Sequence, residues 1–323
     1  KDDIKKSLAG STMSQIGYMI TAAGFGPIGY VFAIFHLLMH GVFKAGLFRG
    51  AGSVMHGMHD NVNMRRYGAL RTMMAATFVT FMIDTFAIIG IPPFDGFFSK
   101  DHIIHAAFER SPLVGVIGML VAGITGFYMV RMLAMTFFGK ARWEDGVHPH
   151  ESPKVMTIPL IILAIGATVG GVSLLYWGNI ESWLEPVTGI ETKELPYPSW
   201  VYELTTLVIV LIGAAIGFVK YARREVPLLP PRGTWFTRAA RQSFYDDAAI
   251  EGLVVRPSYW LARVLVWTDN KVVDGVVNGG AALVGGSSGR LRKYQNGFAR
   301  SYAVSMVGGA VIVLLALILV RIS

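Results

Sequence analysis

The residues best suited to chemistry in this sequence are His36, His40 and Lys44. They recur at every fourth position inside an otherwise apolar run, Ile28–His56. In a helix that spacing stacks all three on one face, roughly 6 Å apart per step. Neutral imidazole has one donor and one acceptor nitrogen, so it can accept a proton on one side and release one on the other. A lysine held out of water can exchange its proton near neutrality. Bridged by water, such a row forms a proton path. Titratable groups inside a membrane helix are costly to keep, which favours a functional row over a set of satisfied packing contacts. Metal binding by His36 and His40 is the weaker alternative, because no third ligand type stands nearby.

A second group follows at Lys100 and Asp101, with His102 and His105 about one turn on. It comes directly after Gly90-Ile91-Pro92-Pro93 and Gly96. Proline removes a donor and clashes with the preceding turn, so a helix must break there. Irregular backbone at membrane depth is tolerated only inside protein or beside a wet cavity. Broken helices are pointers to ion sites in transporters. Lys100 is therefore a candidate switch, set against the plainer expectation that it snorkels to an interface. Gln15 and Tyr18 read as satisfied bundle contacts. Arg131 and Glu203, close to helix ends, read as ordinary interfacial charges.

The elements that position these groups are membrane helices. The chain has 323 residues, 53% of them hydrophobic and only 15% charged. Apolar runs long enough to span a bilayer recur along it. Seven crossings are expected, at Ile4–Phe25, Ile28–His56, Thr72–Glu109, Leu113–Phe138, Thr157–Trp177, Trp200–Tyr221 and Ser301–Val320. The third is too long for a straight crossing: as one helix it would extend about 57 Å. If it crosses once, broken at the prolines, the basic clusters around Lys5, Arg65, Lys140 and Arg223 all fall on one side, which the positive-inside tendency assigns to the cytoplasm or matrix. The opposite side then receives the acidic stretch Glu181–Glu194.

Between the last two crossings, Phe244–Lys293 carries apolar residues at helical spacing with polar relief. As a helix it would extend about 75 Å, further than the chain's own bundle, so other subunits should hold it. Pro257 should kink it, and Gly275, Gly279, Gly280 and Gly285 weaken it. The alternative is a helix lying on lipid headgroups. The expected fold is thus an all-α polytopic transmembrane bundle with a discontinuous helix and a long amphipathic lateral helix. Its parts are residues 1–138, a half-bundle containing the break within 72–109; 139–222, two further crossings; 223–243, a linker; 244–293, the lateral helix; and 294–323, a terminal anchor.

The net charge of +8 lies in short loops between apolar runs, so it indicates membrane orientation and no nucleic-acid partner. With no cysteine there is no disulfide and no cysteine-ligated iron–sulfur cluster. No phosphate-binding glycine loop follows a strand pattern. A chain opening on Lys1 is expected to be a piece of something longer.

Several ordered motifs resemble the antiporter-like subunits of respiratory complex I. They are Asp3-Ile4-Lys5-Lys6 with Ser11-Thr12-Met13-Ser14-Gln15-Ile16-Gly17-Tyr18; Phe35-His36-Leu37 through His40 to Phe43-Lys44-Ala45; and Gly90-Ile91-Pro92-Pro93 with Gly96-Phe97-Phe98-Ser99-Lys100-Asp101. Val255-Arg256-Pro257, Trp260-Leu261-Ala262-Arg263 and Asp274-Gly275, followed by one crossing, resemble the NuoL type, in its later half. The resemblance implies a proton-translocating membrane subunit of NADH:quinone oxidoreductase. His36, His40, Lys44, Lys100 and Asp101 would carry protons, and the lateral helix would bind other membrane-arm subunits. NADH, FMN, iron–sulfur clusters and quinone would belong to other subunits, with no cofactor in this chain. The alternatives are the large subunit of a multisubunit cation/proton antiporter and a mainly structural clamp. Two residues depart from the pattern: Arg49 and Asp84 stand where the family has apolar or small residues. Their opposite charges, at similar expected depth, suggest a modulating ion pair near Lys44.

Overall fold

The computed structural model describes residues 1–189 and 195–322. The end of the acidic stretch expected at 181–194 lies outside the described residues. The chain forms two compact units, Lys1–Arg232 and Gly233–Ser323.

The first unit is a helix bundle. Its helices are α1 (Ile4–Ala23), α2 (Pro27–Gly57), α3 (Ala75–Ile89), α4 (Asp95–Arg110), α5 (Pro112–Phe137), α6 (Lys154–Val172), the short α7 (Ile180–Thr188) and α8 (Ser199–Ala222). Asp3 caps α1, its carboxylate accepting from the Lys6 amide at 3.0 Å. Pro27 and Pro112 open α2 and α5, where a missing N–H costs nothing. Helices α2, α5, α6 and α8 are long and apolar enough to cross a membrane. α5 and α8 meet through small residues: a Cβ on Gly213 would lie 2.1 Å from the Gly123 carbonyl oxygen. Without a hydrophobic force between helices in lipid, such close backbone approach is what holds them.

The third crossing is broken, as expected. α3 stops at Gly90, whose φ of 82° is a left-handed cap open to glycine, and its amide returns to the Ala87 and Phe86 carbonyls. α4 starts five residues later and passes close over the end of α3. A Cβ on Gly96 would sit 1.8 Å from the Ala87 carbonyl oxygen, so only glycine fits.

The ends of the bundle separate by charge. At one end Asp2 accepts from Arg65 at 2.7 Å and from Arg131 at 2.5 Å, and Arg65 also donates to the Pro227 carbonyl. Arg142 donates to the carbonyls of Arg65 and Met135, and Lys140 pairs with Glu225. The start of α1, the loop before α3, the end of α5 and the loop after α8 therefore share one end. At the other end His105, late in α4, meets Ser199 at the start of α8. This places α3 and α4 together as a single traverse, with the basic clusters gathered on one side. Arg131 is a correction: it is mostly buried and clamps the Asp2 carboxylate and the Lys1 carbonyl, with its guanidinium 5.1 Å from the Tyr221 ring centre.

The second unit contains α9 (Trp235–Arg241), α10 (Asp246–Ile250), α11 (Arg256–Thr268), α12 (Asp274–Arg292) and α13 (Ala299–Ile322). From Asp246 to Arg292 the backbone is continuously helical, joined through single π turns at Glu251–Val255 and Asp269–Val273. Pro257 sits just after the first of these. The widened turn takes up the missing amide and the ring clash, so the helix continues past the proline. No residue of α10, α11 or α12 is buried. α13 is apolar along its length and long enough to span a membrane.

At the basic end, burial pushes the Asp2 carboxyl up, but Arg65 and Arg131 outweigh it and hold it below its ordinary value of 3.8. A depressed carboxyl contributes stability above its unfolded pKa and loses it as pH falls through the folded one. Asp2→Asn should therefore lower thermal stability at pH 7 by on the order of 1 kcal/mol, with the deficit shrinking as pH falls below 3.8 and through the lower folded value. Thermal unfolding of the purified assembly across pH checks this.

Candidate proton-transfer site

α2 carries its titratable row along a turn-by-turn spiral. His36 is fully buried, with Nδ1 2.8 Å from Ser99 Oγ of α4 and Nε2 3.0 Å from Gln15 Oε1 of α1. One tautomer donates Nε2–H to Gln15 and accepts the Ser99 hydroxyl proton at Nδ1. The other reverses both bonds once the Gln15 amide, whose nitrogen is otherwise unpartnered, turns over. His40 lies one turn on, with ring centres 6.3 Å apart and its Nε2 unpartnered. Lys44 comes next and is buried. Its ammonium donates to the Leu8 carbonyl at 2.8 Å and to the Ser11 hydroxyl.

Lys100 is fully buried and does not snorkel. Its Nζ donates to the Ile89 carbonyl at 2.8 Å and the Ile88 carbonyl at 3.2 Å, the unpaired end of α3. A cation there also meets the negative end of the helix dipole. The break and the lysine are thus one device: α3 stops, and Lys100 satisfies what it leaves open.

Asp101 lines a cavity of about 200 Å³ with His102, His105, Glu109, Glu181 and Glu203. His105 Nδ1 is 3.0 Å from Glu109 Oε1, and its Nε2 is 3.1 Å from Ser199 Oγ. Glu203 is here a correction: it faces this cavity with the other carboxylates and is no plain interfacial charge.

Arg49 and Asp84 do not pair. Gly46 and Gly50 form the face of α2 turned to α3, where a Cβ on Gly46 would lie 2.1 Å from Asp84 Oδ2 and one on Gly50 2.7 Å from Phe81 Cδ2. Arg49 falls beside that face and is exposed, while neither Asp84 oxygen has a hydrogen-bond partner. The depths were compatible, but the helix rotation was not. Thr80 does not hold Asp84 either, since its hydroxyl donates to the Ala76 and Thr77 carbonyls.

Three participants escaped the sequence reading: Ser11, Ser99 and Asp95. Serines are too common in membrane helices to stand out. Asp95 did carry a signal, as a carboxylate placed two residues after Pro93 in an apolar segment.

Residues 1–125 match the family described as NADH:quinone oxidoreductase/Mrp antiporter, transmembrane. The chain is 50% identical to NADH-quinone oxidoreductase subunit L of Mycobacterium tuberculosis (strain CDC 1551 / Oshkosh), over 99% of this chain and 52% of the relative. It is 38% identical to NAD(P)H-quinone oxidoreductase chain 5 of Picosynechococcus sp., over 95% of this chain and 51% of that one. The similarity to these two subunits extends over almost all of this chain. It spans about half the length of these relatives. A structure of the Mrp complex from Dietzia sp. shares the fold, with a TM-score of 0.54, 21% identity, and coverage of 86% of this chain and 32% of that one.

Because Arg49 and Asp84 sit on different faces with no shared partner, Arg49→Leu and Asp84→Ala should act independently. Their effects on assembly stability should add within about 0.5 kcal/mol in the double variant.

Proposed function

We propose that this chain is part of a proton-translocating membrane subunit of NADH:quinone oxidoreductase, in a respiratory membrane, and that His36, His40, Lys44, Lys100 and Asp101 carry the proton. One observation carries the reading. Both membrane-buried lysines are held by neutral oxygens: Lys44 by a carbonyl and a hydroxyl, Lys100 by two carbonyls. Among the described residues neither forms an ion pair. A buried lysine in a salt bridge cannot lose its proton without stranding its partner's charge. Held by neutral acceptors, it can.

The proposed path rests on these contacts. His36 connects α1 to α4 through Gln15 and Ser99, and Ser99 precedes Lys100. Asp101, next in sequence, opens on the acidic cavity at the end of the bundle opposite the arginines. Protons would pass from the Lys44–His40–His36 row to Lys100 and leave through that cavity. Redox chemistry would take place in other subunits and reach this chain as a conformational or electrostatic signal. The relatives' names support this setting, and the match to a family that also covers Mrp antiporters fits shared proton-carrying machinery.

The helical stretch Asp246–Arg292 would run along neighbouring membrane-arm subunits. Its aromatic and aliphatic side chains, Trp260, Leu265 and Trp267 among them, are exposed in this chain. Exposed apolar rows of this kind mark contact surfaces.

Lys44→Ala and Lys100→Ala should each lower coupled proton pumping by about tenfold or more in an assembled complex, the scale of losing a proton-transfer group. Lys→Arg should not restore it, because arginine keeps its proton at working pH. Pumping in reconstituted vesicles, with assembly checked in parallel, tests this; full pumping in both alanine variants refutes it. Photo-crosslinkers at Trp260 and Leu265 should capture other subunits of the complex, and capture of lipid alone would refute the lateral contact.

A further inference from the structure

Asp84 and Asp95 are fully buried in the middle of the bundle, outside the row described above. Asp84 is on α3, and Asp95 is the first residue of α4 after the break. Asp95 Oδ1 accepts from the Gly171 amide of α6 at 2.6 Å. Its Oδ2 and both oxygens of Asp84 have no hydrogen-bond partner.

Glycines from two helices shape the space around them. A Cβ on Gly46 of α2 would lie 2.1 Å from Asp84 Oδ2. One on Gly170 would be 3.2 Å from Asp95 Oδ2, and one on Gly171 would be 2.9 Å from the Asp95 Cα. Both carboxyl groups therefore occupy room that any larger residue would fill.

No cation among the described residues compensates them. Lys44 turns to α1, and Gly46 lies about 200° round α2 from it. Lys100 is taken by the Ile88 and Ile89 carbonyls, and His36 by Ser99 and Gln15. His40 lies about 120° round α2 from Gly46, and Arg49 is exposed. Asp101, His102, His105, Glu109 and Glu203 line the acidic cavity. Arg110 ends α4, Lys5 and Lys6 open α1, Lys154 opens α6, Lys220 closes α8, and Arg131 holds Asp2. A metal does not fit either, since no group of three or more metal-ligating side chains occurs among the described residues.

A dry, unpaired carboxylate is expensive to keep ionised. The inexpensive state is one in which protons are bound. We propose that the buried carboxyls of Asp84 and Asp95, outside the His36–His40–Lys44 row, hold and exchange protons, a second set of proton-holding groups in this bundle. Ser99 is the nearest link to the main row: its hydroxyl bonds the main-chain carbonyl of Asp95 at 3.1 Å and sits 2.8 Å from His36 Nδ1.

The role in pumping rests on the reading of this chain as a proton carrier, whereas the protonation itself does not. Two measurements therefore separate them, both on the assembled complex. Infrared difference spectroscopy with isotope-labelled aspartate should show a protonated-carboxyl band at neutral pH that disappears in Asp84→Asn/Asp95→Asn. If no such band exists in the wild type, or if it survives the double substitution, the two carboxyls hold no proton and the proposal fails. Asp84→Asn alone keeps the shape and removes the exchangeable proton. It should lower pumping by about tenfold and alter the pH profile of pumping. A purely structural carboxyl predicts normal pumping with an unchanged pH profile, and that result overturns the exchange. Asp95→Asn provides the same comparison where Asp84→Asn does not assemble. Loss in these variants with unimpaired Lys44→Ala and Lys100→Ala would leave the two carboxyls standing and remove the lysine path.

Discussion

The structure depends on satisfying backbone at membrane depth. Water is absent there, so an interrupted helix leaves carbonyls that the protein itself must pair. α3 is interrupted by Gly90 and the two prolines, and Lys100 reaches back to the last carbonyls. That requirement holds the lysine at the centre of the bundle, draws Ser99 against His36, and sets Asp95 against α6. It also suits titration. An ammonium has three N–H donors, and the neutral amine still has two. Lys100 can lose its charge and keep both carbonyl bonds, so a proton can leave without the break coming apart.

Charge segregation does the second part of the work. At one end arginines are bound to Asp2 and to main-chain carbonyls, which ties α1, α5, the loop before α3 and the loop after α8 together. These cations are occupied in structure. At the other end carboxylates and histidines line a cavity that Asp101 reaches from the break. Under the proposed function, a proton passing from the buried lysines toward the carboxylates would move away from the arginines and toward negative charge.

The second unit follows a different rule. Its helical stretch buries nothing of its own, and its glycines give it little intrinsic helical preference. Two π turns keep it continuous, one of them immediately before Pro257. A helix that buries so little of itself depends on what it lies against; under the proposed function that is the neighbouring subunits.

Much was legible in the sequence alone. Apolar runs longer than a bilayer is thick, the Gly-Pro-Pro break, the basic loops and the four-residue spacing of His36, His40 and Lys44 each follow from local chemistry, and the structure has them all. What sequence could not supply was rotation. Arg49 and Asp84 stand at compatible depths, and only the packing of Gly46 and Gly50 on α3 turns Arg49 out and leaves Asp84 facing a glycine. Likewise, Glu203 joins a cavity because α8 starts beside the end of α4, and Asp95 becomes a buried, half-satisfied carboxyl because Gly171 comes to meet it. Periodicity along one chain determines which residues share a helix face. Which face meets which neighbour is decided by close packing between helices far apart in sequence, and in this bundle small residues set that packing.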